Sequence, residues 1–145
     1  MRVRDVMTSN VISCGMKTPI RAVAKKMNQF NCGMIPVLSD DNKGRVVGVI
    51  TERDIVCRAI SEGADLSRVP ASFCMSHPVV SIAAKSALSE CMRLMREHEI
   101  RRIVVVNEDE QCVGIVSQVD LYRASNGRGF LFSHGDRGEE IQSHN

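Results

Sequence analysis

The chain has 145 residues, a net charge of +2 and 43% apolar residues, which suits one compact domain or two small halves sharing a core. Its apolar runs are too short to cross a bilayer, and the opening MRVRDVMTSN lacks the apolar stretch of a signal peptide. No basic block or aromatic interleaving supports nucleic-acid binding, so a cytoplasmic protein away from membranes and nucleic acid is expected.

In chain order, Thr18-Pro19 reads as an N-cap followed by a first-turn proline. Ile20, Val23, Ala24 and Met27 step by three and four behind it and predict a one-sided helix. The β-branched runs 35–38 and 46–50 predict strands buried on both faces, joined by the turn DDNKG. A second helix is expected from about Arg53. After SEGADLSRV the order repeats. Leu88, Cys91, Met92 and Met95 form an apolar stripe behind Ser86, strands follow at 103–106 and 113–116 around NEDEQ, and a helix starts at about Val119.

The repetition extends to register. With Met7 set on Met75, VMTSNVIS lies over CMSHPVVS, MIPVL over RIVVV, and Gly48 over Gly114 once two residues drop out of the second copy. Each copy reads strand, helix, strand, strand, helix. The division is residues 1–62 for repeat one, 63–70 for a linker, 71–126 for repeat two, and 127–145 for a Gly-rich polar tail expected to be mobile. Neither copy alone has a comfortable core, and a tandem pair can share one.

Six cysteines are present, but none lies within four residues of another, so the tight pairs of zinc ribbons are missing. Most occupy positions suited to a small apolar side chain; redox sensing and metal binding are the alternatives. The four histidines, His77, His98, His134 and His144, have no companion spaced for a metal or for a nucleophile–base pair. No catalytic residue, metal site or catalytic cofactor is expected, and the chain does not read as an enzyme.

Both copies end their last strand alike, in GVITERDI (48–55) and GIVSQVDL (114–121), with a hydroxyl three residues before an Asp. One explanation is helix capping, since the pattern approximates a capping box. The other is binding: a strand end opening into a helix suits anions, and a carboxylate there can accept two hydrogen bonds from a ribose diol.

The leads Met7-Thr8 and Met75-Ser76, GMIPV (33–37) and the two endings resemble tandem CBS (cystathionine-β-synthase-type) domains, the Bateman module, over roughly residues 2–124. The likeness is to stand-alone bacterial CBS-pair proteins. It implies an α/β (α+β) fold of two βαββα repeats about a pseudo-two-fold axis, with two clefts between them for adenosine-containing ligands: AMP, ADP, ATP, NAD or S-adenosylmethionine. It implies a regulatory, energy-sensing role, with ligand binding read by a protein partner. The competing reading is a constitutive dimerisation or scaffold module with vestigial clefts. Helices 53–61 and 119–124 carry apolar residues beyond what one sheet can cover, and related modules pair through such helices, so a homodimer is expected.

Carried over residue by residue, cleft one joins Val49, Thr51, Arg53 and Asp54 to Val80, Ile100, Arg101, Arg102 and Ile103. Cleft two joins Ile115, Ser117 and Asp120 to Ile12, Cys32, Gly33, Met34 and Pro36. Arg53, Arg101 and Arg102 would fork onto phosphate oxygens, and cleft two has no arginine at its matching positions, so phosphorylated ligands are expected in cleft one. A solvated strand edge is the plainer explanation of RRI (101–103). Two departures from the family pattern stand out: Ile12 and Val80 replace a first-strand hydroxyl, and Val104 replaces the proline that Pro36 supplies in copy one.

Overall fold

The computed structural model describes residues 1–126; the tail, with its FLF triplet, His134 and His144, lies outside the described residues. The elements are α1 (Val3–Val6), β1 (Cys14–Gly15), α2 (Ile20–Phe30), β2 (Met34–Leu38), β3 (Val46–Thr51) and α3 (Glu52–Ile55), which runs on as a π-helical turn, Val56–Ile60. Then come α4 (Ala71–Cys74), β4 (Ser81–Ala83), α5 (Leu88–Glu97), β5 (Arg102–Val106), β6 (Cys112–Ser117) and α6 (Gln118–Ala124).

Two three-stranded sheets result, ordered β1-β2-β3 and β4-β5-β6. In each, the first strand runs parallel to the second and the third antiparallel to it. Even the irregularities repeat, with a register shift at Val37/Leu38 in one copy and Val105/Val106 in the other. The two copies are therefore the same βαββα unit, as their sequence register predicts.

The central strands are enclosed on both faces. Four of the five β2 residues are buried, and in β5 Ile103, Val104 and Val105 are buried, which explains their unbroken apolar run. Helix α2 buries Ile20, Val23 and Met27 on one stripe, and α5 buries Cys91 and Met95. The helix starts differ slightly from expectation. Thr18 does not cap α2, because its Oγ1 accepts from Gly15 N at 3.0 Å and Pro19 takes the N-cap position. Helices α3 and α6 begin one residue early, at Glu52 and Gln118.

The cysteines are all free. Cys14, Cys74 and Cys91 lie in the cores, and burial pushes the Cys14 and Cys91 thiols up to about 11. Such thiols stay protonated and pack as small apolar groups.

The short leads α1 and α4 carry no signal in the sequence pattern, and they change how the copies fit together. Each packs on the other copy. Val3 joins the core of Ile82, Cys91, Ile103 and Leu121, with Val3 N donating to Ser86 O at 2.9 Å and Arg4 N to Ala84 O at 2.9 Å. Ala71 and Cys74 join the core of Ile20, Val23, Ile35 and Ile50, with Ala71 N donating to Thr18 O at 2.8 Å. Each repeat thus completes its hydrophobic core with a segment of the other, so neither core closes without both copies.

Candidate functional site

The exchanged leads bring the strand endings face to face with the opposite copy. Ser76 pairs with Val49 through backbone hydrogen bonds of 2.8 and 3.1 Å, and Thr8 pairs with Ile115 through bonds of 2.9 and 3.0 Å. Glycine makes the approach possible: a methyl group at Gly48 would stand 2.5 Å from Met75 Sδ, and one at Gly114 would stand 2.5 Å from Met7 Sδ.

Both endings are capping boxes. Thr51 Oγ1 accepts from Asp54 N at 3.2 Å while Asp54 Oδ2 accepts from Thr51 N at 2.9 Å. Ser117 Oγ accepts from Asp120 N at 3.2 Å, and Asp120 Oδ2 accepts from Ser117 N at 2.8 Å. The capping explanation of the repeated ending therefore holds in both copies, and it leaves the second oxygen of each carboxylate for other work.

That second oxygen separates the two clefts. Asp54 Oδ1 accepts from Ser76 Oγ at 3.1 Å and has Arg58 Nε 4.0 Å away. Asp54 is buried, at 9% exposure. Asp120 is only half-buried, and it lines an open cleft of about 320 Å³ with Thr8, Asn10, Val11, Ile12, Phe30, Asn31, Cys32, Gly33, Met34, Arg102, Ile115 and Ser117. That volume falls in the range of about 300–1,000 Å³ usual for small-molecule sites.

Of the residues assigned to cleft two, Ile12, Cys32, Gly33, Met34, Ile115, Ser117 and Asp120 all line this one space, while Pro36 is buried in β2 and lies outside the lining. Local structure explains the convergence. Asn31, at φ 51°, closes α2 in the left-handed conformation and turns Cys32 and Gly33 toward the mouth of the cleft. The C-terminal end of β6 delivers Ile115 and Ser117, and the first turn of α6 delivers Asp120.

One placement reverses the sequence expectation. Arg102 lines cleft two, because it opens β5 directly opposite Ser117 in the strand register. Its guanidinium extends over Gly33, where an added Cβ would lie 3.3 Å from Nη2. Burial pushes the Cys32 thiol up, the Arg102 charge opposes that rise, and Glu52 adds to it. Cleft two is therefore not without an arginine. The sequence pairing missed this because matching positions describe where a backbone stands, and a long guanidinium arm reaches beyond it.

The residues assigned to cleft one are less gathered. Val49 and Asp54 meet Ser76 of the second lead, and Thr51 is tied to Asp54 by the capping box. Arg53 and Arg101 are exposed. Val80 and Ile100 pack against the second core, and Ile103 is buried in it. The residues that the sequence pairing did not single out are Ser76 and Arg58 in cleft one, and Thr8, Asn10, Val11, Phe30 and Asn31 in cleft two. The register of MT with MS pointed to Ser76 and Thr8, and Asp54 and Arg58 stand at the i, i+4 spacing of a helical ion pair.

Among the described residues, no group of three or more His, Cys, Asp or Glu side chains could hold a metal ion, and no helix is long and apolar enough to cross a membrane.

Comparison with known proteins agrees with this architecture. The CBS domain family matches residues 3–60 and again 67–127. The CBS domain-containing protein YhcV of Bacillus subtilis is 36% identical over 119 residues, covering 82% of this chain and 81% of that protein. Hypoxic response protein 1 of Mycobacterium tuberculosis is 31% identical over 120 residues, covering 83% and 82%. The solved structure of the CBS domain protein PAE2072 from Pyrobaculum aerophilum complexed with AMP superposes with a TM-score of 0.76 at 30% identity, covering 83% of this chain and 90% of that one. The chain belongs to the CBS domain family, as a tandem pair of repeats forming one Bateman module.

Proposed function

We propose that this chain is a regulatory module that binds an adenosine-containing ligand in cleft two and conveys its occupancy to a protein partner. The observation that carries the reading is the chemistry gathered in that cleft. Asp120 Oδ1 is available to a ribose diol, and the Ser117 hydroxyl keeps its proton to donate. Ile12, Met34 and Ile115 offer an apolar wall for adenine, and the Arg102 guanidinium can fork onto a phosphate. The AMP held by the Pyrobaculum relative, which is 30% identical, supports the ligand class. Arg102 favours AMP, ADP or ATP over adenosine itself; NAD and S-adenosylmethionine share the ribose and remain in the class. The role is regulatory rather than catalytic, the ligand acting as a signal and not as a cofactor.

Pairing of two chains belongs to the same reading. Val56, Ile60, Val119 and Tyr122 expose more than half of their surface on the helical segments that follow the two clefts. An isologous contact would cover such faces.

Thermal melting with AMP, ADP, ATP, NAD and S-adenosylmethionine tests the ligand reading. A ligand at about 100 times its Kd stabilises the folded state by about 2.7 kcal/mol, a readily visible rise in midpoint. If none of the five moves the midpoint, the constitutive scaffold reading takes its place.

A further inference from the structure

We propose that cleft one is shut from within by Arg58 and Ser76, so that each chain takes one adenosine-type ligand and not two. The ligand part of this statement rests on the reading of cleft two given above; the closure itself does not.

The two clefts begin from the same plan, and two side chains make them unequal. In cleft one the Ser76 hydroxyl donates to Asp54 Oδ1 at 3.1 Å, the oxygen that the capping box leaves over. Arg58 then fastens the lead that carries Ser76. Its Nη1 donates to Cys74 O at 3.2 Å and Met75 O at 2.9 Å, while its Nε faces Asp54 Oδ1 at 4.0 Å. One guanidinium thus hydrogen-bonds the backbone of copy two and lies within ion-pair range of the carboxylate of copy one. Ser76 already occupies Asp54 Oδ1, with Arg58 in ion-pair range, and a ribose could reach that oxygen only by displacing the lead.

Cleft two has neither device. Thr8 stands where Ser76 stands, yet it bonds Ile115 through its backbone alone. The position matching Arg58 is Ala124, whose methyl group cannot reach the lead. Asp120 Oδ1 accepts no hydrogen bond among the described residues, and the cleft in front of it stays open.

The test uses the full chain, with AMP as the probe and two releasing variants. Calorimetric titration of the parent should give one AMP per chain. Arg58→Ala should give two, and Arg58→Ala/Asp120→Ala should give one again, now in cleft one. Ser76→Ala, a small change at a half-buried site, should also admit a second AMP. Two AMP per chain in the parent, or no second AMP in either variant, overturns the proposal while leaving cleft two as a nucleotide site.

Amide hydrogen exchange decides closure even if the parent binds no AMP, the result that would sink the ligand reading. The Val49 and Ser76 amides should exchange at least tenfold faster in Arg58→Ala, with the matching Thr8 and Ile115 amides unchanged. Equal exchange of Val49 and Ser76 in parent and variant contradicts the closure.

Discussion

Met75 lies against the bare backbone of Gly48, where an added methyl group would meet its Sδ at 2.5 Å, its Cγ at 2.9 Å and its Cβ at 3.0 Å. Gly114 receives Met7 in the same way, with Thr8 O 3.1 Å from the missing Cβ. The glycine that opens GVIT and GIVS is thus a notch for the other copy's lead.

Gly48→Ala should therefore loosen the contact between copies. Overpacking of this kind costs about 1–3 kcal/mol, and denaturant melts should move to lower concentration by a matching amount. Gly114→Ala should cost at least as much, since it also crowds a backbone oxygen. Shortening the intruding side chain, as Gly48→Ala/Met75→Ala, should recover part of the loss. Two alanine variants as stable as the parent would show that the leads do not depend on these notches.

The two capping boxes make a second prediction. Thr51→Ala and Ser117→Ala each remove a side-chain acceptor from a helix N-terminus and should cost about 0.5–2 kcal/mol in chemical unfolding. Thr51→Ala should also weaken the hold on Asp54, whereas Ser117→Ala removes a group proposed to face the ligand. Only Ser117→Ala should lower AMP affinity.

Asp41 supplies a pH test away from the clefts. Its carboxylate accepts from Ser39 Oγ at 2.7 Å, from Arg45 Nη2 at 2.7 Å and from Lys43 N at 3.1 Å. These bonds, that of Ser39 first, hold its pKa at about 2 against a usual 3.8. A depressed carboxylate contributes stability that is present above the unfolded value and lost as pH falls through the folded one. Asp41→Asn should therefore trail the parent at neutral pH, and the gap should close between pH 4 and pH 2. The effect is small because the turn is in water. A gap undiminished at pH 2 would assign it to something other than the charge.

Association is the fourth prediction. Replacing Val56 and Ile60 by Asp places charge on a face that the proposed homodimer buries, and sedimentation should then report monomer where the parent reports dimer. A parent that stays monomeric at high concentration would contradict pairing through this face.

Much of the fold was legible because the sequence states it twice. A lone run such as 35–38 is ambiguous between strand and buried helix, but its register with 103–106 and the matching Gly48 and Gly114 removed the ambiguity. The helical starts of the leads, α1 and α4, were not legible. Val3 and Ala71 are short apolar residues in four-residue turns, too brief for any periodicity, and their exchange between copies is a tertiary event. Cys32, Ser117 and Asp120, which the family resemblance assigned to one cleft, do line one space. Reach was not legible for Arg102, which swings into cleft two, whereas Arg58 stands four residues from Asp54, the spacing of a helical ion pair. The direction of a long side chain such as Arg102 is recorded by no spacing, and its placement is what supports proposing the phosphate site in cleft two rather than cleft one.

The central claim is that Asp120 and Arg102 hold an adenosine ligand in cleft two, and calorimetric titration of AMP into Asp120→Ala and Asp54→Ala tests it most directly. Asp120→Ala removes a charged acceptor whose hydrogen bonds contribute about 1.5–3 kcal/mol each, so affinity should fall by about 10- to 1,000-fold. Asp54→Ala, if folded, should bind AMP as the parent does. Full affinity in Asp120→Ala, with loss in Asp54→Ala, would contradict the account and return the site to cleft one.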